Sequence, residues 1–224
     1  MEESDAAAAS VHIDVVSDVV CPWCYIGKRR LEGAIALTPD IDVTVNWRPY
    51  FLNPWIPREG IDRQTYLETK FGSAERYAVI AERISTAAAM EGLVYNPDLI
   101  GRQPNTLDCH RLILWSRSAT DPARMKQRLM ELYFAEGGDL SDPKVLIQAA
   151  VDCGMDGDLV RRLLASDAEV DRIEGDATAA KEAGIDGVPC FVFGSSVIVT
   201  GAQSPEYLAS AIERTAGRQA RAQA

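Results

Sequence analysis

Apolar and polar residues alternate in a short run near the start of the chain. In Val11-His12-Ile13-Asp14-Val15-Val16 the apolar side chains fall mostly on every second position, a period that predicts a β-strand. A second alternating run covers residues 42–48. Between the two, residues 24–37 mix apolar and charged side chains at helical spacing. The beginning of the chain therefore predicts a β-α-β unit.

The middle of the chain has a helical pattern throughout. Apolar positions recur at intervals of three and four residues from residue 62 to about residue 184. The predicted helices cover residues 63–70, 73–91, 106–118, 122–135, 143–153, 158–164 and 168–183. Strand patterns return at residues 190–193 and 197–199, and a final helix is predicted over residues 205–215.

This order of elements predicts an α/β fold whose sheet is interrupted by a large all-helical insertion. Without the middle region the chain reads βαβ followed by ββα, a small sheet with two flanking helices. We therefore expect one discontinuous domain made of residues 11–60 and 185–217, and an insertion domain of residues 61–184. The remaining segments, residues 1–10 and 218–224, are predicted to be disordered tails.

Composition and charge narrow the function classes. The chain has 224 residues, of which 47% are hydrophobic and 25% charged, as in an ordinary globular protein. A formal net charge of −10 argues against a nucleic-acid partner and against an anionic membrane surface. No segment approaches the roughly 18 apolar residues of a transmembrane helix, and the acidic N-terminus does not resemble a signal peptide. Five cysteines without framework spacing predict a reducing, cytoplasmic setting.

Two thiols lie between the first predicted strand and the first predicted helix, in Cys21-Pro22-Trp23-Cys24. A helix that starts here places the first sulfur at its N-terminus, where unpaired N–H groups and the helix dipole favour a thiolate. Pro22 fits the first helical turn because its missing N–H would have had no partner there. The second sulfur lies one turn further, close enough to form a disulfide, so the motif predicts dithiol–disulfide exchange.

Half of a zinc site is the alternative interpretation of a CxxC motif. A closed zinc site needs two more ligands, and outside the motif only Cys109, Cys153, Cys190, His12 and His110 remain. None of these repeats the CxxC spacing. We therefore predict redox chemistry and no metal.

Five segments, in order along the chain, carry a resemblance to a known family. They are residues 17–27 (SDVVCPWCYIG), 47–54 (WRPYFLNP), 105–112 (NTLDCHRL), 184–189 (GIDGVP) and 199–203 (VTGAQ). With them the chain resembles the thioredoxin-like fold in its DsbA form, and more narrowly the FrnE-like branch of DsbA-family oxidoreductases. That branch is related to 2-hydroxychromene-2-carboxylate isomerase and kappa-class glutathione transferase.

The resemblance implies a protein disulfide oxidoreductase or isomerase with Cys21 as nucleophile and Cys24 as resolving thiol. It implies that Pro189 is a cis-proline facing the motif, and that the backbone of Val188 pairs with an extended substrate. No metal or organic cofactor is implied. The expected partners are protein or small-molecule disulfides and thiols, with glutathione as a candidate co-substrate. The chain is expected to be a monomer or a homodimer.

Several neighbouring residues have two interpretations each. Asp18 is expected to cap the first helix, the alternative being like-charge repulsion of the thiolate. His110 is either a packed core histidine or, as the resemblance implies, a residue that lines the cleft above the thiols. Trp23 is expected at the rim of the site, where it contacts substrate or only covers the motif. The other large tryptophans, Trp47, Trp55 and Trp115, are expected in the core.

Cys190 departs from the family pattern, in which an aromatic or small residue follows the cis-proline. We expect a buried structural cysteine, since neighbours in a strand face opposite sides of a sheet. The alternative is a third redox thiol.

Two other function classes stay open. A glutathione-dependent isomerase or kappa-type transferase needs only one residue facing the glutathione sulfur, so the intact pair Cys21/Cys24 argues against it. A non-catalytic module would use the proline groove to hold extended peptides.

Overall fold

The computed structural model describes residues 9–194 and 196–223. Within them lie six strands, which are β1 (Ala9–Ser17), β2 (Ile41–Pro49), β3 (Ile61–Asp62), β4 (Arg102–Gln103), β5 (Cys190–Phe193) and β6 (Val197–Thr200). The helices are α1 (Pro22–Ala36), α2 (Arg63–Phe71), α3 (Ala74–Met90), α4 (Leu107–Ser116), α5 (Pro122–Phe134), α6 (Pro143–Asp152), α7 (Gly157–Leu164), α8 (Val170–Glu182) and α9 (Pro205–Gln223). The predicted α/β class, with a sheet interrupted by a helical insertion, is confirmed.

The main sheet has four strands in the order β2-β1-β5-β6. The central strand β1 is parallel to β2 and antiparallel to β5, so that Val15 pairs with both Trp47 and Phe191. Strand β6 pairs antiparallel with β5. Because β1 runs directly into the loop before α1, this topology places the CxxC motif at the carboxyl end of the central strand, where open α/β sheets bind ligands.

The two faces of the sheet are covered differently. Ile13, Phe191 and Phe193 point into the main core, which also includes Leu208 and Ile212 of α9. Val16, Tyr50 and Cys190 form a separate small cluster, against which Ala180 of α8 packs. The alternation of strand side chains thus separates the core beneath α1 and α9 from a second core beneath α8.

The insertion is mostly but not entirely helical. Ile61 pairs with Gln103 and Asp62 with Arg102, which makes β3 and β4 a two-stranded antiparallel pair. The sequence did not predict this short strand pair, because strands of two residues are too short to show a period. The insertion contacts the motif helix through Tyr25 of α1, whose ring stacks on Phe134 of α5 at 5.3 Å.

The predicted boundaries need three corrections. Helix α1 begins at Pro22 rather than at residue 24. Ala9 and Ser10, predicted as part of a disordered tail, belong to β1 because they pair with Ile41 and Asp42. Residues 218–223, also predicted as a tail, extend α9, since their arginines, alanines and glutamines are good helix formers. Residues 1–8 and 224 lie outside the described residues, and the division into two domains stays a prediction.

None of the helices in the described part of the chain is both long enough and apolar enough to span a lipid bilayer.

Candidate functional site

The two motif thiols lie at the start of α1. Cys21 is the N-cap residue with extended backbone angles, and Pro22 takes the first helical position. The carbonyl of Cys21 accepts a hydrogen bond from the backbone N–H of Cys24 at 2.9 Å. Both cysteines are free thiols, and only 3% of Cys21 and 2% of Cys24 is exposed. The Cys24 thiol is within hydrogen-bonding reach of Cys21. The pair is therefore arranged to open and close one disulfide.

The environment of Cys24 opposes ionisation. Burial raises the pKa of the Cys24 thiol well above its usual value, and the hydrogen bond and charge of Cys21 raise it further. The charge of Lys126 lowers the same pKa. Cys24 is thus held as a thiol until something compensates its desolvation.

The loop before β5 faces the first thiol. The peptide bond between Val188 and Pro189 is cis, and the Cys21 Sγ donates to the carbonyl of Val188 over 3.6 Å. The helix approaches the proline closely at Gly27, where a Cβ atom would lie 2.9 Å from Cγ of Pro189. Real Cβ atoms essentially never come this close, so glycine is what allows α1 to pack on the proline ring.

Asp18 does not cap α1, contrary to expectation. Cys21 takes the N-cap position, and no side chain caps the first turn. The buried Asp18 carboxylate instead accepts a hydrogen bond from the backbone N–H of Leu52 at 2.8 Å. Its second oxygen lies 3.5 Å from Nε2 of His110. Asp18 therefore ties the loop after β1 to the segment after β2 and to the insertion.

His110 is buried on α4 beneath the site. Its Nε2 lies 3.2 Å from the carbonyl oxygen of Tyr50, and its ring meets Phe51 edge-on at 5.8 Å. Together with the nearby Asp18 carboxylate, these contacts make His110 part of a buried polar cluster between the sheet and α4. The core interpretation describes this packing better than a position in an open cleft.

Trp23, Trp55 and Lys70 are exposed, whereas Tyr66, which contacts Trp55 and Lys70, is buried. Trp23 is 37% exposed, and Trp55 is 47% exposed, so the expectation of a core position for Trp55 was wrong. The Trp55 ring stacks on Tyr66 at 6.1 Å, and the Lys70 ammonium lies 5.6 Å from the centre of the same Tyr66 ring. Partial burial lowers the pKa of Lys70, and the charges of Cys21 and Asp18 oppose that shift. The Lys70 ammonium also donates to Oδ1 of Asn53.

Lys126 of α5 was missed by the sequence analysis. Only 1% of it is exposed, and its Nζ lies 5.2 Å from the centre of the Trp47 ring. Burial lowers the pKa of Lys126 to about 8, although the charges of Cys24 and Asp18 act in the opposite direction. One signal was available: Lys126 precedes Leu129, Met130 and Tyr133 by three, four and seven residues, which places it on the apolar face of its helix.

The remaining cysteines are buried away from solvent. Cys190 packs with Val16 and Tyr50 in the small cluster under α8, and burial raises the pKa of its thiol. Burial likewise raises the pKa of Cys109 on α4 and of Cys153 after α6. Cys190 therefore occupies the environment of a structural cysteine, while its part in redox chemistry stays a prediction.

Across residues 9–194 and 196–223, no group of three or more His, Cys, Asp or Glu side chains is placed to hold a metal ion.

Comparisons with known proteins agree with this arrangement. The family model described as a DSBA-like thioredoxin domain matches residues 12–213. The chain is 27% identical over 191 residues to the Bacillus subtilis (strain 168) protein YwbO, covering 84% of this chain and 90% of that protein. It superposes with a TM-score of 0.80 on a probable DsbA oxidoreductase, SCO1869 of Streptomyces coelicolor, at 29% identity over 92% of this chain and 90% of that one.

A more distant fold neighbour is the cytosolic disulfide reductase DsbM of Pseudomonas aeruginosa, whose structure was determined with GSH. The TM-score is 0.60 at 15% identity, covering 95% of this chain and 100% of that one.

Proposed function

Because the chain belongs to the family of DsbA-like thioredoxin domains, we propose that it is a thiol–disulfide oxidoreductase that uses Cys21 as nucleophile and Cys24 as resolving thiol. The observation that carries the proposal is the position of the Cys21 Sγ, which meets the carbonyl of the cis Val188–Pro189 unit while Cys24 lies within reach behind it. Oxidoreductases of this family need no cofactor.

The proposed reduction of a substrate disulfide has two steps. The Cys21 thiolate attacks one sulfur of the substrate, which forms a Cys21–substrate disulfide and releases the other substrate sulfur as a thiolate. The Cys24 thiolate then attacks Cys21, forms the Cys21–Cys24 disulfide and releases the second substrate thiolate. Substrate gains two electrons and the protein loses two. Oxidation of a substrate dithiol runs the same steps backwards.

The surroundings of Cys21 suit an extended, polar substrate. The backbone of Val188 lies next to the Cys21 sulfur and is proposed to pair with the substrate backbone. Trp23 offers an exposed aromatic face within the motif itself. Lys70 supplies a positive charge that interacts with Cys21. Protein disulfides and glutathione disulfide both have peptide groups that can pair with the Val188 backbone and carboxylates that can bind Lys70. We therefore propose them as substrates.

We also propose that the protein works in the cytoplasm. The support is its cysteine usage, in which the structure keeps all five thiols free, as expected in a reducing compartment. Fractionation of cells that express the tagged full chain, with marker enzymes for each compartment, tests this proposal.

The test of the dithiol function is insulin reduction with dithiothreitol, comparing the wild-type chain with Cys21→Ser and Cys24→Ser. We expect both variants to lose activity, because each step consumes one of the two sulfurs. Cys153→Ser is the matched control and should retain wild-type turnover, since that thiol lies at the end of α6 and donates to the carbonyl of Arg124. An inactive wild type would reject the dithiol enzyme and favour a peptide-binding module.

A glutathione-dependent reaction is the second candidate. The charge of Lys70 near Cys21 would suit a carboxylate of glutathione, and the fold neighbour DsbM has a structure with GSH. The same pair of variants separates the candidates, because a glutathione-dependent enzyme needs only one sulfur-facing residue. Activity that survives Cys24→Ser but not Cys21→Ser would favour this second function.

A further inference from the structure

A large open cavity in the insertion has no part in the two-step scheme. It has a volume of about 1110 Å³ and is bordered by α2, α3 and residues 95–101. Neither motif thiol lines it, nor does the Val188–Pro189 loop. Sites for small molecules usually measure about 300–1000 Å³, with apolar walls and a few polar groups. Much of this wall is apolar and is formed by Leu67, Ala78, Ala81, Leu99 and Ile100.

Arg63, in the first turn of α2, brings a positive charge to this cavity. Its Nη1 donates to Oε1 of Gln103 at 2.9 Å and to the phenol oxygen of Tyr133 at 3.3 Å. The guanidinium also lies 5.1 Å from the ring centre of Tyr66 and 5.0 Å from that of Tyr77. Within the described part of the chain these partners are neutral, and Arg63 has no carboxylate partner. The guanidinium is thus held in place while its charge is left uncompensated.

The position of Arg63 in its helix is not explained by local stability. A cation in the first turn opposes the helix dipole, which favours negative groups there. The Nε of Arg63 is buried without a hydrogen-bond partner, which is a further cost for a charged group. Because Nη1 makes the hydrogen bonds to Gln103 and Tyr133, Nη2 is left to donate to a ligand in the cavity.

Two phenols in the same lining add a second donor. The hydroxyl oxygens of Tyr77 and Tyr95 lie 2.7 Å apart, so one hydroxyl donates to the other. The accepting hydroxyl keeps its own proton, for which residues 9–194 and 196–223 provide no acceptor. Burial raises the pKa of Tyr95, so this phenol is protonated at neutral pH. A negatively charged group in the cavity can therefore accept from a phenol and from Arg63.

Three acidic residues that line the cavity limit the charge of its ligand. Asp62, Glu82 and Asp98 are all exposed, and the Asp62 carboxylate is engaged as the N-cap of α2. Solvent and salt screen exposed charges of this kind, but a ligand with several negative charges would still be repelled. One fixed cation, apolar walls and exposed acids together favour a ligand with a single negative charge and an apolar body.

We propose that this cavity binds an aliphatic monocarboxylate of the fatty-acid class, with its carboxylate on Arg63 and its chain along the apolar wall. The planar guanidinium matches a carboxylate, and charge-assisted hydrogen bonds of this kind are short and strong. The chain contributes by burying apolar surface. The cavity is separate from the dithiol, so this inference does not rest on the function proposed above.

The test is isothermal titration calorimetry of the full-length chain with decanoate at pH 7, at concentrations at which decanoate is monomeric. We expect saturable binding of one molecule per chain. Decylammonium has the same chain and the opposite charge, and it should bind at least about tenfold more weakly, because it cannot accept hydrogen bonds from Arg63.

Variants separate the charge of Arg63 from the apolar wall. Arg63→Met should weaken decanoate binding at least about tenfold, because the carboxylate loses its charged donor. Ala78→Phe fills the cavity without altering Arg63 and should abolish binding, so it serves as the test if Arg63→Met does not fold. The matched control is Ala89→Phe, at an exposed position of α3 outside the cavity. Lys144→Met, which removes an exposed lysine of α6, is the control for charge, and both controls should bind decanoate like wild type.

Three results would overturn the inference. Absence of saturable decanoate binding to the wild-type chain rejects the site. Equal affinities for decanoate and decylammonium, or equal decanoate affinities of wild type and a folded Arg63→Met, show that apolar surface alone attracts the chain. None of these results bears on the dithiol function, which insulin reduction tests separately.

Discussion

Two regions of the insertion each enclose a basic side chain, but they surround it with different partners. Arg111 of α4 is fully buried, and its guanidinium donates to the carbonyls of Leu163, Ser166 and Ala168 at 2.6–2.8 Å and to the carboxylate of Asp108. Lys126 of α5 is equally enclosed, but its ammonium lies over the Trp47 ring, and the charges that act on its pKa belong to Cys24, Asp18, Lys28 and Cys21.

The difference follows from the chemistry of the two cations. The planar guanidinium has five donors in a fixed fork and can satisfy several carbonyls at once, so it fastens the junction between α7 and α8 to α4. The ammonium is a compact charge whose pKa falls when it is buried. One region therefore uses a buried charge to hold the fold, whereas the other encloses a charge over the Trp47 ring, where burial opposes its ionisation.

The largest expected change in stability follows from removing Arg111. Arg111→Met should lower the free energy of unfolding by about 3–5 kcal/mol, because it removes the guanidinium from which the carbonyls of Leu163, Ser166 and Ala168 accept and leaves Asp108 paired with Arg58 alone. Urea unfolding at pH 7 measures this change. Arg83→Met, on the exposed surface of α3, is the control and should stay within about 0.5 kcal/mol of wild type. A small loss at Arg111 would show that water replaces the guanidinium.

Removing the buried charge of the second region, Lys126, should stabilise the fold rather than destabilise it. Lys126→Met should raise the free energy of unfolding by about 3 kcal/mol at pH 7, since burial lowers the pKa of Lys126 from 10.5 to about 8. The folded wild-type chain holds this proton less tightly than the unfolded chain. Its stability therefore rises between about pH 8 and 10.5, and the gap between the two proteins closes there. Urea unfolding at pH 7 and pH 10 checks both statements.

If Lys126→Met is instead less stable than wild type at pH 7, the ammonium makes net favourable contacts. The contrast between the two regions would then be lost.

A third prediction concerns the packing of α1 against the cis-proline. Gly27→Ala should cost about 1–3 kcal/mol of stability and slow the attack by Cys21, because the added methyl would meet Pro189 at 2.9 Å. Gly33→Ala lies on the same helix, where the added methyl meets Pro205 at an ordinary 3.4 Å. That control should gain about 0.5–1 kcal/mol from helix propensity. Equal effects at the two glycines would mean that α1 can move away from the proline.

The smallest effect is expected on the exposed side of the dithiol. Lys70→Met should raise KM for glutathione disulfide about three- to fivefold, and leave KM for the neutral hydroxyethyl disulfide unchanged, because an exposed charge contributes modestly to the binding of an anion. Steady-state kinetics with both substrates measures the ratio. Lys144→Met is again the matched control. An equal rise for both disulfides would indicate that Lys70 acts on Cys21 rather than on substrate charge.

Much of the fold was predictable because its signals are local. The alternating runs around Ile13 and Val45 have the period of strands. Asp121 and Asp142 each cap a helix that begins with proline, and Asp-Pro is a local signal of a helix start. The strand pair formed by Ile61 and Asp62 with Arg102 and Gln103 was not predictable, since two residues carry no period.

The candidate site divides in the same way. Cys21 and Cys24 were apparent from a spacing of three residues. Asp18 was assigned to a helix cap because it precedes the helix, but the partner it finds is the backbone N–H of Leu52. The place of Lys126 on the apolar face of α5 is a local signal, but its position over Trp47 depends on how α5 packs against β2, and no local pattern contains that information. The two reacting thiols could therefore be predicted from the sequence, whereas the contacts of the buried charged residues Asp18 and Lys126 could not.

The distance along the chain between the thiols and their proline has a consequence for synthesis. Cys21 and Val188 are separated by 167 residues, and β5 and β6 follow only after that interval. At about 5–20 residues per second, a ribosome needs roughly 10–30 seconds to synthesise the residues between the two thiols and the Val188–Pro189 loop. For that time the growing chain presents an uncovered pair of sulfurs to every oxidant around it.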